Sequence, residues 1–242
     1  MSTLSRIVNR WGLIKGLKMY YRFNKVKSGT WTLPELKHPV QLRPNTTDSM
    51  VFKQIFGKGE YDIDFAFTPQ TIIDGGGNIG LFSVLMANRY PEARIFAIEP
   101  DTLNFLQFKT NTAYYPNIIP INAGIWNHSC FLEVLDEGYG QYALQVKEAK
   151  GGIETDLKGI SIGDLMKQYN VESLDIVKLD VEGAEAMIFK DNYDKWLART
   201  KVLIIELHEG CWPGSSVNFE SAIKNYPFSR SKNGEFLIFT RN

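Results

Sequence analysis

Asp74-Gly75-Gly76-Gly77-Asn78-Ile79-Gly80 follows the short apolar run Thr71-Ile72-Ile73 and leads into a helical pattern over Ile79 to Arg89. A strand that turns on glycines into a helix is the opening unit of a parallel α/β sheet. The chain keeps that alternation. Arg94 to Glu99 is a second apolar strand, stopped by Pro100, and Asp101 is placed to cap a helix to about Ala113. Ile118 to Ala123 reads as a third strand, Ser161 to Tyr169 as a helix, Leu174 to Asp180 as a fourth strand and Lys201 to Leu207 as a fifth. Phe131 to Val146 alternates weakly around Gly138 and Gly140 and reads as a hairpin or irregular excursion. Near the end, Asn233-Gly234 between two apolar runs is a hairpin signal. The expected fold is α/β: a Rossmann-like, doubly wound, mostly parallel sheet with a C-terminal antiparallel hairpin. It should occupy 61–242, with a helical and irregular extension over 1–60.

Of the 242 residues, 44% are hydrophobic and 13% aromatic, enough for one sizeable core and unlike a disordered chain. The formal net charge is zero, so no global field draws the chain to nucleic acid. No apolar run approaches the roughly 20 residues of a membrane-spanning helix. The two cysteines, Cys130 and Cys211, form no Cys-x-x-Cys pair, and reduced thiols in a cytoplasmic protein are expected. Charge is uneven at the start. Arg6, Arg10, Lys15, Lys18, Arg22, Lys25 and Lys27 precede the first acid, Glu35, and are interleaved with Leu4, Ile7, Trp11, Ile14, Leu17 and Tyr21 at helical spacing. The preferred reading is a helix that packs this stripe inward. The alternative is contact with an anionic membrane surface or a phosphorylated substrate.

Gly75, Gly77 and Gly80 have the Gly-x-Gly-x-x-Gly spacing of loops that bring backbone amides against a nucleotide cofactor. Glu99, at the end of the second strand, is placed to accept hydrogen bonds from both hydroxyls of an adenosine ribose. S-adenosylmethionine and NAD both carry that ribose. Asp74 separates them: an acid directly before the glycines suits a cofactor with a positive centre and a free amine, and would repel a pyrophosphate.

Ile72 to Ser83 resembles the first motif of the FkbM-type S-adenosylmethionine-dependent methyltransferases. So does Ile-Val-Lys-Leu-Asp-Val-Glu-Gly-Ala-Glu (Ile176 to Glu185), the most distinctive piece, and Ile-Glu-Leu-His (Ile205 to His208) resembles the end of that family's fifth strand. Arg43 to Asp48 and Gly59-Glu60-Tyr61 resemble upstream segments. One departure is Gly75, where a branched apolar residue is usual and where glycine should loosen the turn. The resemblance implies the class I methyltransferase architecture and O-methyl transfer to a sugar, glycan or secondary metabolite. By position, Asp74, Gly76, Asn78 and Gly80 would shape the cofactor loop, Glu99 would hold the ribose, Asn122 would lie near the adenine, and Asp48 would face the cofactor. An NAD(P)-dependent oxidoreductase and a non-catalytic cofactor-binding module are the alternatives. Against the first stand Asp74 and the lack of an evident Tyr-x-x-x-Lys pair.

Reactive groups of an open α/β sheet gather at the carboxyl ends of its strands. Asp180 and Glu182 follow the fourth strand, while Glu206 and His208 close the fifth on a shared face. Two readings follow for Asp180, Glu206 and His208. In one, His208 or Asp180 is a general base while the other acids, Glu206 and Glu182 included, bind substrate hydroxyls; in the other, the three hold a divalent metal that acidifies the acceptor. Glu185 reads as an acid in the first turn of a helix. Trp126, Tyr139, Tyr142 and Trp212 lie in loops that should border the acceptor, and Trp126 and Tyr142 are the aromatic candidates for stacking on a sugar. Acceptor identity and oligomeric state are not legible.

Overall fold

The computed structural model describes residues 2–135, 145–208 and 214–242. The chain divides into two compact units, one ending at Ala66 and one running from Phe67 to Asn242.

In the first unit, helices Thr3–Trp11 and Leu13–Asn24 are separated by Gly12, whose φ of 78° ends the first helix. Gly16 lets the two helices cross closely, since a Cβ there would lie 2.7 Å from the Val8 Cα. Strands Gly29–Trp31 and Val40–Leu42 pair antiparallel, and helix Asp48–Phe52 runs into a π-helical turn, Lys53–Lys58. Phe23, Trp31, Phe52 and Phe56 meet ring to ring at its centre. The inward stripe expected from the sequence fails beyond Gly12. Ile7 is buried, but Leu13, Ile14, Leu17 and Tyr21 are exposed, and Gly16, Met19 and Phe23 point inward instead. The kink at Gly12 resets which face of the second helix looks inward.

The second unit is built on a sheet of seven strands among the described residues: β1 (Thr71–Gly75), β2 (Arg94–Ile98), β3 (Ile118–Ile121), β4 (Leu174–Leu179), β5 (Thr200–Ile205), β6 (Phe228–Asn233) and β7 (Phe236–Arg241). Their order is β6-β7-β5-β4-β1-β2-β3. β1 to β5 run parallel, and β7 pairs antiparallel with both β5 and β6. This is the doubly wound class I methyltransferase arrangement, with its order reversing between β1 and β4. β1, β4 and β5 are buried almost throughout because they lie inside the sheet and are covered on both faces. Asp175 ties the lower ends of the central strands, accepting from the amides of Gln70 (2.6 Å) and Thr71 (3.0 Å) and pairing with Lys201 at 2.7 Å.

Helices α1 (Leu81–Arg89), α2 (Thr102–Thr112), α3 (Ile162–Gln168), α4 (Glu185–Ile188), α5 (Asp194–Leu197) and α6 (Ser215–Ile223) complete the unit. Asp101 and Ser161 cap α2 and α3, each accepting from the amide three residues on. The excursion after β3 forms a second sheet from Gly124–Ile125, Cys130–Leu135, Gln145–Glu148 and Leu157–Ile160. Of these strands the sequence pattern showed only the pair flanking 136–144. The hairpin turns on Gly234 (φ 61°) and Glu235, with Asn233 still paired to Phe236.

Candidate active site

The glycine loop leaves β1 through three residues in the left-handed region: Gly76 (φ 74°), Asn78 (φ 49°) and Gly80 (φ 85°). Asn78 tolerates that conformation because its side-chain oxygen accepts from the next amide, Ile79 N, at 2.8 Å. The loop is fastened from both sides. Gly76 and Gly77 amides donate to the Ile98 carbonyl at the end of β2 (3.0 and 2.9 Å), and the Gly75 carbonyl accepts from the Asp180 amide beyond β4 (3.1 Å). Gly75 does not loosen the turn. It sits in strand register between Ile98 and Leu179, and a Cβ there would meet the Ile125 side chain at 2.5 Å and the Lys178 carbonyl oxygen at 3.1 Å. Ile125 occupies the space a branched residue would take.

Beneath the loop lies a buried charge pair. Asp74 is fully buried, accepts from the Ser83 hydroxyl at 2.6 Å and pairs with the Lys178 ammonium at 3.2 Å. Lys178 also donates to the carbonyls of Gly75 (3.1 Å) and Gly76 (2.7 Å). Burial disfavours its charge, but Asp74 and Asp180 outweigh that and hold its pKa above the ordinary value. Asp74 is therefore answered inside the protein, where it anchors the cation that grips the loop.

Glu99 stands beyond β2, 5% exposed. One carboxylate oxygen accepts from Asn78 N (2.7 Å) and the other from Asp101 N (2.9 Å). Burial pushes its pKa to about 7 even though these amides favour the ionised form. Asn122, after β3, is exposed and donates to the Glu99 carbonyl at 2.8 Å. Asn78, Glu99 and Asn122 thus form one connected rim beside the glycine loop.

The second half of the site surrounds His208. Its Nδ1 lies 3.0 Å from Glu185, and its Nε2 lies 3.5 Å from Glu182, 3.7 Å from Glu206 and 3.8 Å from Asp180. Glu206 and His208 lie just past the end of β5, yet their side chains still converge. Burial alone would lower the pKa of His208, but the hydrogen bond and charge of Glu185, then Glu182 and Asp180, raise it to about 9. Burial, then the nearby charge of Asp180, raises Glu206 to about 7. Burial also raises Glu182, against the pull of His208. Glu182 (φ 51°) and Gly183 (φ 101°) make the turn that folds these acids back toward the histidine. The two halves touch: the Gly76 Cα packs on the backbone of Asp180 so closely that a Cβ would lie 1.8 Å from its carbonyl oxygen.

A family model described as the methyltransferase FkbM domain matches residues 74–221, well over half the chain. The chain belongs to the FkbM methyltransferase family. This FkbM methyltransferase is 24% identical over 194 residues to the methyltransferase sdnD of Sordaria araneosa, covering 66% of this chain and 74% of that one. It is 25% identical over 162 residues to the hexuronic acid methyltransferase AglP of Haloferax volcanii, covering 64% and 65%. A solved FkbM methyltransferase structure from Methylobacillus flagellatus KT aligns with a TM-score of 0.49 at 15% identity, covering 76% of this chain and 46% of that one. Membership of this family sets aside the nicotinamide oxidoreductase.

Other expected residues of this FkbM methyltransferase differ in what they touch. Asp48 lies in the first unit, fully buried, with both oxygens taken by Arg43 at 2.8–3.0 Å and the Arg43 amide at 2.8 Å. Trp126 is not a stacking platform. It is 2% exposed inside the apolar core, where a large ring beside the small sheet stabilises more than it would at the surface. Tyr142, with Tyr139, Cys211 and Trp212, lies outside the described residues. The metal candidates also change. Asp180, Glu182 and His208 offer ligand atoms within 4.8 Å of one another, so Glu182 takes the place expected for Glu206. Two residues were not singled out for these roles from sequence: Lys178, and Glu185, whose buried carboxylate reaches back to His208 rather than only opening α4. A lysine inside the apolar run Ile176 to Leu179 was the available signal for the first, because a buried cation demands partners.

Proposed function

We propose that this FkbM methyltransferase transfers a methyl group from S-adenosylmethionine to a hydroxyl of a sugar, glycan or secondary metabolite. The observation that supports this most is the contact between its two loops: the positive-φ turn after β1 abuts Asp180, which opens the carboxylate–imidazole cluster. The residues suit an adenosyl cofactor. Oε2 of Glu99 accepts the Asn78 amide and keeps a second lone pair, Oε1 accepts the Asp101 amide and a long 3.5 Å contact from Asn104, and a buried carboxylate held near 7 gains from the hydroxyl donors of a ribose. When bound, S-adenosylmethionine supplies an electrophilic methyl on a sulfonium, whose positive charge suits a cleft where carboxylates outnumber cations. The name of the hexuronic acid relative supports a sugar acceptor.

At neutral pH His208 is an imidazolium and so is not the resting base. It holds Asp180, Glu182 and Glu185 in place. Glu206, titrating near 7, is matched to accept the proton of the acceptor hydroxyl. With S-adenosylmethionine saturating at every pH, the pH profile of kcat/KM for the acceptor is accordingly bell-shaped. It rises through about 7 as Glu206 ionises and falls through about 9 as His208 loses the proton that holds its carboxylates. Glu206→Gln is expected to remove the acidic limb and lower kcat by about a hundredfold or more; an unchanged acidic limb would remove Glu206 from the role of base.

The second reading is a divalent cation on Asp180, Glu182 and His208, supported by their 4.8 Å grouping. Incubation with methyl-labelled S-adenosylmethionine and a panel of hydroxylated glycans, with and without EDTA, tests both. A labelled methoxy product formed in EDTA supports Glu206 alone, and one lost in EDTA and restored by magnesium or manganese supports the cation. A methylated nitrogen or carbon contradicts O-methyl transfer. Cofactor binding with no product from any acceptor favours a non-catalytic module.

A further inference from the structure

Helix Leu13–Asn24 carries two apolar faces and uses only one. At 100° per residue, Gly16, Met19 and Phe23 share the side that is buried within the first unit. Leu13, Ile14, Leu17 and Tyr21 share another side, and it is open: Leu13 is 66% exposed, Ile14 84% and Tyr21 60%. Single exposed apolar residues need no explanation, but four in one stripe do. Between the open stripe and the buried side lie Lys15, Lys18 and Arg22, and Lys25 reaches over the Tyr21 ring at 4.4 Å. No acid occurs before Glu35.

We infer that this face docks on an anionic lipid bilayer, with helix Leu13–Asn24 lying in the plane of the interface. The inference stands on the first unit alone and does not depend on the methyl-transfer reading. Charge complementarity selects the occupant. An apolar stripe bordered along one side by cations matches a surface with acyl chains beneath anionic headgroups, where each nearby Lys or Arg adds to binding. A second copy packed antiparallel on the same face would set these cations beside each other, with no acid before Glu35 to answer them. The helix is 12 residues, about 18 Å at 1.5 Å per residue, far short of the roughly 30 Å hydrocarbon layer, so it lies on the membrane. No helix among the described residues is long and apolar enough to cross one. Docked this way, the protein would meet acceptors at the membrane surface.

The test is co-sedimentation of the full chain with vesicles of phosphatidylcholine alone or mixed with phosphatidylglycerol. Binding is expected only to the anionic vesicles and should weaken as salt is raised. Ile14→Glu with Leu17→Glu should abolish it, and Lys15→Glu with Lys18→Glu should cut it by about thirtyfold or more. Both variants change exposed positions, so their melting temperatures should match the parent. Three results would overturn the inference: equal binding to both vesicle types, binding that survives Ile14→Glu with Leu17→Glu, or no binding to either vesicle type. No binding alongside a dimer in sedimentation equilibrium that the same variant disperses would assign the face to a second copy.

Discussion

Lys178→Met is expected to destabilise the second unit by about 3–5 kcal/mol, the range for breaking a buried ion pair from one side. Methionine fills much of the same space, so the loss is electrostatic rather than a cavity. Asp74 would be left fully buried with the Ser83 hydroxyl but no cation, and the carbonyls of Gly75 and Gly76 would lose their ammonium donor. In a unit of this size each kcal/mol moves the melting temperature by about 2–4 °C, so a fall of about 10 °C is expected at neutral pH. The double variant Lys178→Met with Asp74→Asn removes both charges and should recover a large part of that loss. A fall of less than about 2 °C, or no recovery in the double variant, would show that the pair does not hold the glycine loop.

Gly76→Ala carries the other large effect, and it falls on binding. A Cβ at Gly76 would sit 1.8 Å from the Asp180 carbonyl oxygen, in a backbone with φ of 74°. The clash is with backbone at the end of β4, so no side-chain rotation relieves it, and the loops of β1 and β4 must part. Separation moves the turn that presents amides to a cofactor and displaces Asp180 from the His208 cluster. S-adenosylhomocysteine affinity should fall by about a hundredfold, roughly 3 kcal/mol. Gly151→Ala is the control: its φ is 67°, but nothing lies within 4 Å of the added Cβ. It should cost only the left-handed penalty of about 1–2 kcal/mol in stability and leave binding unchanged. Equal binding by Gly76→Ala and the parent would mean that the contact with Asp180 is not part of the site.

How far the sequence carries can be judged residue by residue. Strand–helix alternation located β1 to β5 because each is a compact apolar run bounded by turn residues, and Asp101 and Ser161 are local caps whose partners lie three residues on. A local signal also placed Glu99 at the end of the second strand, and the family resemblance pointed to Asn78 within the glycine loop. Other features depend on distant partners. Gly75 reads as a loosening of the turn until Ile125, fifty residues on, is seen in the gap. Glu185 reads as a helix-opening acid because nothing nearby in sequence announces His208. Strands Gly124–Ile125 and Leu157–Ile160 are short and exist by pairing with each other and, for the second, with Cys130–Leu135, so their own residues carry little pattern. The face of the second helix turned on one backbone angle at Gly12, which a periodic pattern cannot express.

On the proposed function, the rim of the glycine loop and Glu99 holds an adenosyl sulfur cofactor. Calorimetric titration with S-adenosylmethionine and S-adenosylhomocysteine, beside NAD(H) and NADP(H), tests it most directly. Micromolar binding of the two sulfur compounds alone is predicted. It should be lost in Glu99→Ala and weaken as pH falls below about 7, where Glu99 takes up the proton that a ribose hydroxyl would displace. Clear nicotinamide binding with no binding of either sulfur compound would contradict the account.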